Sequence, residues 1–227
     1  MKVFNLFNNI TSPYSTLEAW GYDYFIASAV YEFMDDFEWK KLGIWDVPSD
    51  GLVVDIGCGG GHLLKKIAES RNDVTLMGFD LSYPQLMRSK QRLEKFSEKL
   101  NFINGSVLSL PFDKQSFDGL VSIGSIKHWP DPFLGLKECI RVVKKGGYLL
   151  IIEVDRGCYL KDADAFVKRF KFPLIVQPFL LPVFRTWIAG QSLDLDDARK
   201  LGKESMLSSF SVSRMHNIPA LMIEGVV

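Results

Sequence analysis

Val53-Val54-Asp55-Ile56-Gly57-Cys58-Gly59-Gly60-Gly61-His62-Leu63-Leu64 joins an apolar strand to an amphipathic helix through an acid and a glycine run. Glycine tolerates positive φ and lets a ligand approach the backbone more closely than any Cβ allows. The helix that follows presents unpaired N–H groups and the positive end of its dipole. A turn of this kind holds a nucleotide-like cofactor. In a dinucleotide site of the G-x-G-x-x-G type the third glycine lies three residues after the second, and here that position is His62. The glycines fall instead at alternate positions, Gly57, Gly59 and Gly61, with Asp55 two residues ahead of the first.

A second apolar run, Val74-Thr75-Leu76-Met77-Gly78-Phe79-Asp80, also ends in an acid, and Ser82 then offers an N-cap for a helix over Pro84 to Phe96. A carboxylate at a strand's C-terminal end accepts hydrogen bonds from a ribose diol, a device that dinucleotide enzymes share. Asp80 alone therefore leaves the cofactor open. Further along come Asn101 to Phe112 with its Gly105-Ser106-Val107 turn, then Ser116-Phe117-Asp118-Gly119-Leu120, His128-Trp129-Pro130-Asp131-Pro132 and Arg141-Val142-Val143-Lys144-Lys145-Gly146-Gly147.

This ordered succession resembles the class I S-adenosylmethionine (SAM) methyltransferases, and within them the type 11 group similar to ubiquinone and menaquinone C-methyltransferases. The resemblance covers about residues 50 to 154. It implies a doubly wound α/β fold with a seven-stranded, mostly parallel sheet in the order 3-2-1-4-5-7-6. It also implies a loop, Asp55 to Gly61 with Cys58 inside it, wrapped around the methionyl part of SAM, with Asp55 acting through water or the cofactor's ammonium. Asp80 would hold the ribose, Leu81 would pack on the adenine, and the Val107 N–H would meet a ring nitrogen. Gly124 and Ser125 would line the methionyl end. Where the family commonly has Gly-Asp, this chain has Gly105-Ser106, so a hydroxyl replaces the carboxylate expected beside the adenine amino group.

Composition agrees with a single α/β domain: 227 residues, 47% of them hydrophobic, supply a sizeable core. Balanced charge, 27 basic against 27 acidic residues, argues against an electrostatic nucleic-acid binder, and no Asn-Pro-Pro-Tyr-like element follows the fourth strand. Cys58, Cys139 and Cys158 are odd in number and widely spaced without CxxC or histidine partners, which reads as reduced thiols in a cytoplasmic protein and gives no metal site. Met1 to Asn9 is too short and interrupted for a secretory signal. The longest apolar stretch, Phe172 to Phe184, contains Gln177 and three prolines. It falls short of the ~20 residues that cross a bilayer, while leaving room for peripheral contact with lipid.

Three parts follow one another in this domain. Residues 1 to 49 carry an aromatic helical pattern from Thr16 to Lys41, with Trp20, Tyr24, Ala27, Tyr31, Met34 and Phe37 or Glu38 near helical spacing, read as a lid. Residues 50 to 154 alternate strand and helix, with strands near 52 to 56, 74 to 80, 101 to 104, 117 to 122 and 147 to 154, which demands a parallel sheet with right-handed crossovers. Residues 155 to 227 add two helical stretches and a terminal hairpin, Ser208 to Arg214 and Ala220 to Val227. The many apolar residues between Phe166 and Ile188 suit either a pocket for a small apolar or aromatic acceptor or simple packing on the sheet.

The expected chemistry is SN2 attack by the acceptor on the sulfonium methyl, giving S-adenosylhomocysteine, so the protein chiefly aligns reactants, excludes water and removes a proton where needed. His128, on the loop after the fourth strand, reads as that general base or as a structural corner, and Lys127 as an alternative that steadies an anionic nucleophile. His62 reads as a wall of the cofactor pocket, His216 as a solvated turn residue, Cys58 as a small residue chosen for fit, and Asp155 with Arg156 as an exposed ion pair or a contact for a polar substrate group. The alternative function is a SAM-binding regulatory or scaffolding protein without transfer activity. A NAD-dependent oxidoreductase is a distant third.

Overall fold

The computed structural model of the chain describes residues 20–27, 30, 31, 46–205, 207 and 209–227. Its centre is a seven-stranded sheet in the order β3-β2-β1-β4-β5-β7-β6. The strands are β1 (Leu52–Ile56), β2 (Thr75–Asp80), β3 (Leu100–Asn104), β4 (Phe117–Ile123), β5 (Val143–Val154), β6 (Ser209–Arg214) and β7 (Ala220–Val226). The first five run parallel, and β7 enters antiparallel between β5 and β6. The strand order expected from the resemblance is the order found.

Side-chain alternation explains why the sheet is covered on both faces. Val53, Val121, Leu150 and Ile152 face one apolar cluster, which α1 (His62–Ser70) completes with Leu63, Leu64 and Ile67. Val54, Leu120, Leu149 and Ile151 face the other, completed by Leu136, Cys139 and Val142 of α3 (Pro132–Val142) and by Ala198 and Leu201 of α6 (Leu195–Glu204). A parallel strand buried on both faces reads as a near-continuous apolar run, as 149 to 152 does. Each fully buried leucine here contributes about 1.5–3 kcal/mol.

Local signals place the helices. Asp131 caps α3 by accepting from the Leu134 N–H at 2.9 Å, with Pro132 at the first helical position. Asp194 and Asp197 form a capping box on α6. Ser82 does stand at the N-cap of α2 (Tyr83–Arg92), but its hydroxyl makes no cap bond, and the helix gives way to a 3₁₀ stretch, Glu94–Lys99, before the expected end at Phe96. Strand β5 begins earlier than expected because Val143 already pairs with Phe117 across an irregularity, with Gly146 (φ 79°) inside it.

Beyond β5 three helical stretches replace the expected two. They are α4 (Leu160–Val167), a run 174–189 built of a 3₁₀ turn, α5 (Gln177–Val183) and a π turn, and α6. Pro173 and Pro178 sit where prolines start helical pieces, and Pro182 lies inside α5 just before it gives way to the π turn, so the stretch is made of short pieces. In the N-terminal part, Trp20 to Ala27, Val30 and Tyr31 are helical. The rest of the expected Thr16–Lys41 helix, Met34, Phe37 and Glu38 included, lies outside the described residues.

Candidate functional site

Parallel register brings the carboxyl ends of β1, β2 and β4 to one edge of the sheet. Asp55 lies opposite Gly78 on one side and Val121 on the other, and Asp80 lies opposite Asn104. Connections diverge on either side of β1, which is the topological switch point where open α/β sheets bind ligands. The glycine loop crosses this edge with Gly57, Gly59 and Gly61 at φ 74°, 51° and 77°. Gly57 and Gly61 are needed for packing, since a Cβ on either would stand 2.0 Å from a serine Oγ, Ser125 and Ser89 respectively. Gly59 and Gly124 (φ 65°) have open space where a Cβ would be. The loop and the turn after β4 therefore leave a cradle that side chains would begin to fill.

Both acids named from the sequence border that cradle. Asp80 Oδ2 accepts from the Gly59 N–H at 2.7 Å and Oδ1 from the Ser82 N–H at 2.7 Å, so each oxygen keeps a lone pair for one more donor. Burial raises the Asp80 pKa, and these two N–H groups oppose the rise. Asp55 is 2% exposed, and among the described residues no hydrogen bond reaches its carboxyl. Burial, with the charge of Asp80 second, pushes its pKa well above the ordinary carboxylate value. A buried acid without a partner is stabilised by an incoming cation. The ammonium of SAM, an open glycine cradle and a diol acceptor fit one another here.

The loop after β3 adjoins this edge. The Gly105 N–H donates to the Asp80 carbonyl at 3.1 Å, and the Asn104 amide donates to the carbonyls of Asp80 and Leu81 at 2.8 and 2.9 Å, which sets Ser106 and Val107 beside the ribose acid. Leu81 is exposed and Val107 is buried in the core. Ser106 Oγ accepts from the Leu108 N–H at 3.3 Å, a local turn bond.

Beyond β4, Ser125 Oγ accepts from the buried indole N–H of Trp129 at 2.9 Å, and His128 closes a short 3₁₀ turn through its N–H to the Ser125 carbonyl, 2.9 Å. His128 is half-buried on the loop that carries Gly124. Its neighbour Lys127 is not free to meet an anion, because Nζ lies 2.9 Å from Glu153 Oε1 and Glu153 is 1% exposed. The Cys58 thiol is buried in the loop, and burial, then the charges of Asp55 and Asp80, raise its pKa well above normal, which removes it as a nucleophile.

Sequence reasoning missed a latch. Asp23, on the N-terminal segment, pairs with Arg88 and with Arg92 Nη2 at 2.7 Å, and its Oδ1 lies 2.7 Å from His62 Nε2. Arg92 also donates to the Gly60 carbonyl, and Tyr31 stacks on His62 at 5.0 Å between ring centres. Burial alone would raise the Asp23 pKa, but hydrogen bonds from His62, Arg88 and Arg92 hold it far below the usual range. His62 is thus a docking point for the N-terminal segment.

One further reading is corrected. Asp155 and Arg156 do not pair: Asp155 is fully buried and accepts from Arg214 at 2.5 Å, while Arg156 holds Asp194 and Asp197. Of the apolar inventory, Phe166, Phe170 and Phe184 pack in the core, as the packing reading has it, while Phe179, Val183 and Trp187 are exposed. His216 is exposed in its turn, as expected.

Residues 54–151 match a family model described as a methyltransferase domain. The chain is 30% identical over 210 residues to demethylmenaquinone methyltransferase of Lactococcus lactis, covering 88% of this chain and 78% of the relative. Over 100 residues it is 36% identical to 2-methyl-6-phytyl-1,4-hydroquinone methyltransferase 1 of rice, covering 44% of this chain and 30% of the relative. Among solved structures, a SAM-dependent methyltransferase from Aquifex aeolicus shares the fold at TM-score 0.60 and 12% identity, covering 87% of this chain and 98% of the other. Phosphoethanolamine N-methyltransferase 2 of Haemonchus contortus, in complex with SAM, does so at TM-score 0.60 and 19% identity, covering 89% and 44%. The relatives named are enzymes, and a SAM-binding protein without transfer activity finds no support in them. The chain belongs to the class I SAM-dependent methyltransferases of the type 11 group.

Proposed function

We propose that this methyltransferase acts on a hydroquinone-type aromatic acceptor, with SAM held between the glycine loop, Asp55 and Asp80. The observation that carries the acceptor class is a ladder of aromatic rings beginning beside the latch. Trp20 stacks on Tyr24 at 5.4 Å, Tyr24 meets Phe25 edge to face at 4.8 Å, and Phe25 stacks on Phe172 at 4.6 Å. Asp23 ties that ladder to the glycine loop, where a planar apolar ring would find stacking partners. The names of the bacterial and rice relatives, which act on demethylmenaquinone and a phytyl hydroquinone, support the same reading.

When bound, SAM supplies an electrophilic sulfonium methyl. Asp80 would accept hydroxyl groups of the ribose on the lone pairs left free by Gly59 and Ser82, and Asp55 would offset the charge of the ammonium. Leu81 would offer an apolar surface to the adenine, while Ser106 and the Val107 N–H would hold its edge. Gly59 and Gly124 let the backbone come close, and Cys58 fills the loop's inner side. His128 would take the proton of the acceptor hydroxyl, leaving an oxyanion whose electron pair serves as the nucleophile. The latch through Asp23 helps to exclude water.

An assay for S-adenosylhomocysteine across short-chain hydroquinones, phenols, fatty acids and amines tests the reading. Turnover confined to hydroquinones and related phenols is expected. Turnover confined to the amines or fatty acids would overturn the acceptor class.

A further inference from the structure

The helical run 174–189 is apolar on two sides. Its inner side puts Phe184 in the core, with Leu180, Leu181 and Ile188 packed against it. On its outer side Leu174, Ile175 and Phe179 are 87%, 82% and 66% exposed, and Val183 and Trp187 are exposed as well. Ile175, Phe179, Val183 and Trp187 recur every four residues, so they form one stripe along the run. A helix with apolar residues on its solvent side as well as its core side is expected where something other than water covers it.

Charge indicates what that cover is. The whole chain is balanced, but residues 165 to 190 hold Lys168, Arg169, Lys171 and Arg185 and no acid. Lys168, Arg169 and Lys171 are exposed just ahead of the apolar tip. Lys168 reaches Asp164 of α4 at 2.5 Å, and Arg185 is turned inward onto the Cys158 carbonyl at 2.9 Å. Exposed Trp20 and Tyr24 stand on the segment joined to this region by the Phe25–Phe172 stack and by the Lys171 N–H to the Phe25 carbonyl, 3.0 Å. Apolar side chains, rings with a polar edge and a collar of cations are what an anionic bilayer surface accepts. A second copy docked symmetrically on the same face would bring cation against cation, with no acid between residues 165 and 190 and with the neighbouring Asp164 already held by Lys168.

We propose that residues 168–187 form a docking surface for an anionic lipid bilayer, lying in its interface, with Leu174, Ile175, Phe179 and Trp187 entering the headgroup boundary. No helix among the described residues is long and apolar enough to cross a membrane, so the contact is peripheral. Its use, delivery of an apolar acceptor out of the lipid, rests on the acceptor class proposed above. The docking itself does not.

The test mixes the full chain, without SAM or acceptor, with vesicles of phosphatidylcholine alone or phosphatidylcholine with phosphatidylglycerol, and measures co-sedimentation. Binding to the mixed vesicles is expected to be about tenfold tighter or more than to the neutral ones, and to weaken with salt. Ile175→Ser with Phe179→Ser, and separately Lys168→Gln with Lys171→Gln, should each lower it about tenfold. These side chains are exposed, so melting temperature should be unchanged and confirms the fold in each variant. Equal binding to both vesicle types, or variants that bind like wild type, would overturn the proposal. So would a dimer in vesicle-free buffer that the Ile175→Ser, Phe179→Ser pair dissolves. If vesicles are bound while no hydroquinone is methylated, the acceptor class falls and the docking surface stands.

Discussion

Asp23 Oδ1 lies 2.7 Å from His62 Nε2, across 39 residues of sequence. The same carboxylate takes Arg88 and Arg92, so one acid joins the N-terminal segment to the first turn of α1 and to α2. Asp23→Ala leaves two cations and a ring nitrogen without their acceptor, and SAM affinity should fall about tenfold as the cover over the glycine loop loosens. Because the folded pKa is depressed, the latch's contribution to stability is fully present above the unfolded carboxylate value of ~4 and is lost as pH falls below it. Hydrogen exchange at residues 20–27 should therefore speed up in Asp23→Ala at neutral pH, and in wild type only in acid. Equal protection in the variant would contradict the latch.

The second acid has the opposite sign. Burial raises the pKa of Asp55, so the ligand-free fold binds a proton that the unfolded chain has already lost, and stability falls as pH rises from the ordinary carboxylate value through the raised one. Asp55→Asn should raise the melting temperature of the ligand-free protein more at pH 8 than at pH 5, while weakening SAM binding. A melting shift that is the same at both pH values would show that Asp55 is not held against its charge.

Lys127 and His128 separate by where their loss is felt. Lys127→Ala leaves Glu153 buried and unpaired and should cost about 3–5 kcal/mol of stability, read as a fall in the denaturation midpoint and largely restored by Glu153→Gln. His128→Ala should leave the midpoint in place and lower the single-turnover rate about 10²-fold at unchanged SAM affinity. Full activity in His128→Ala would reduce the residue to a corner of the loop.

Ser106 offers a gain. Its hydroxyl accepts a single turn N–H, from Leu108 at 3.3 Å, and an aspartate can keep that bond while presenting a second oxygen. Ser106→Asp should tighten SAM binding, since an ionised acceptor makes a stronger bond to the adenine amino group. Weaker binding at an unchanged melting temperature would remove this loop from the adenine.

What was legible in the sequence was local. A strand, an acid, glycines and a helix follow one another in the segment 53–64, and the acid and helix recur around Asp80, so the glycine turn and the two acids at the strand ends could be read without coordinates. The 3-2-1-4-5-7-6 order came with the resemblance. Asp23 was hidden, because its partners lie 39 to 69 residues away and nothing in an aromatic helix marks one acid as a latch. Glu153 was hidden inside an apolar strand, where only the third dimension reveals Lys127 beside it. Asp155 and Arg156 show the reverse error: adjacent opposite charges suggested a pair, yet strand and turn geometry sends one inward to Arg214 and the other outward to α6.

Calorimetric titration of SAM into the wild type, Gly59→Val and Asp80→Ala tests the central claim, that the glycine loop and the ribose acid hold the cofactor. The account predicts binding to the wild type, a loss of about 1–3 kcal/mol in Asp80→Ala, and a larger loss in Gly59→Val, whose branched side chain enters the open cradle at positive φ. Unchanged affinity in both variants, with both folded, would contradict it.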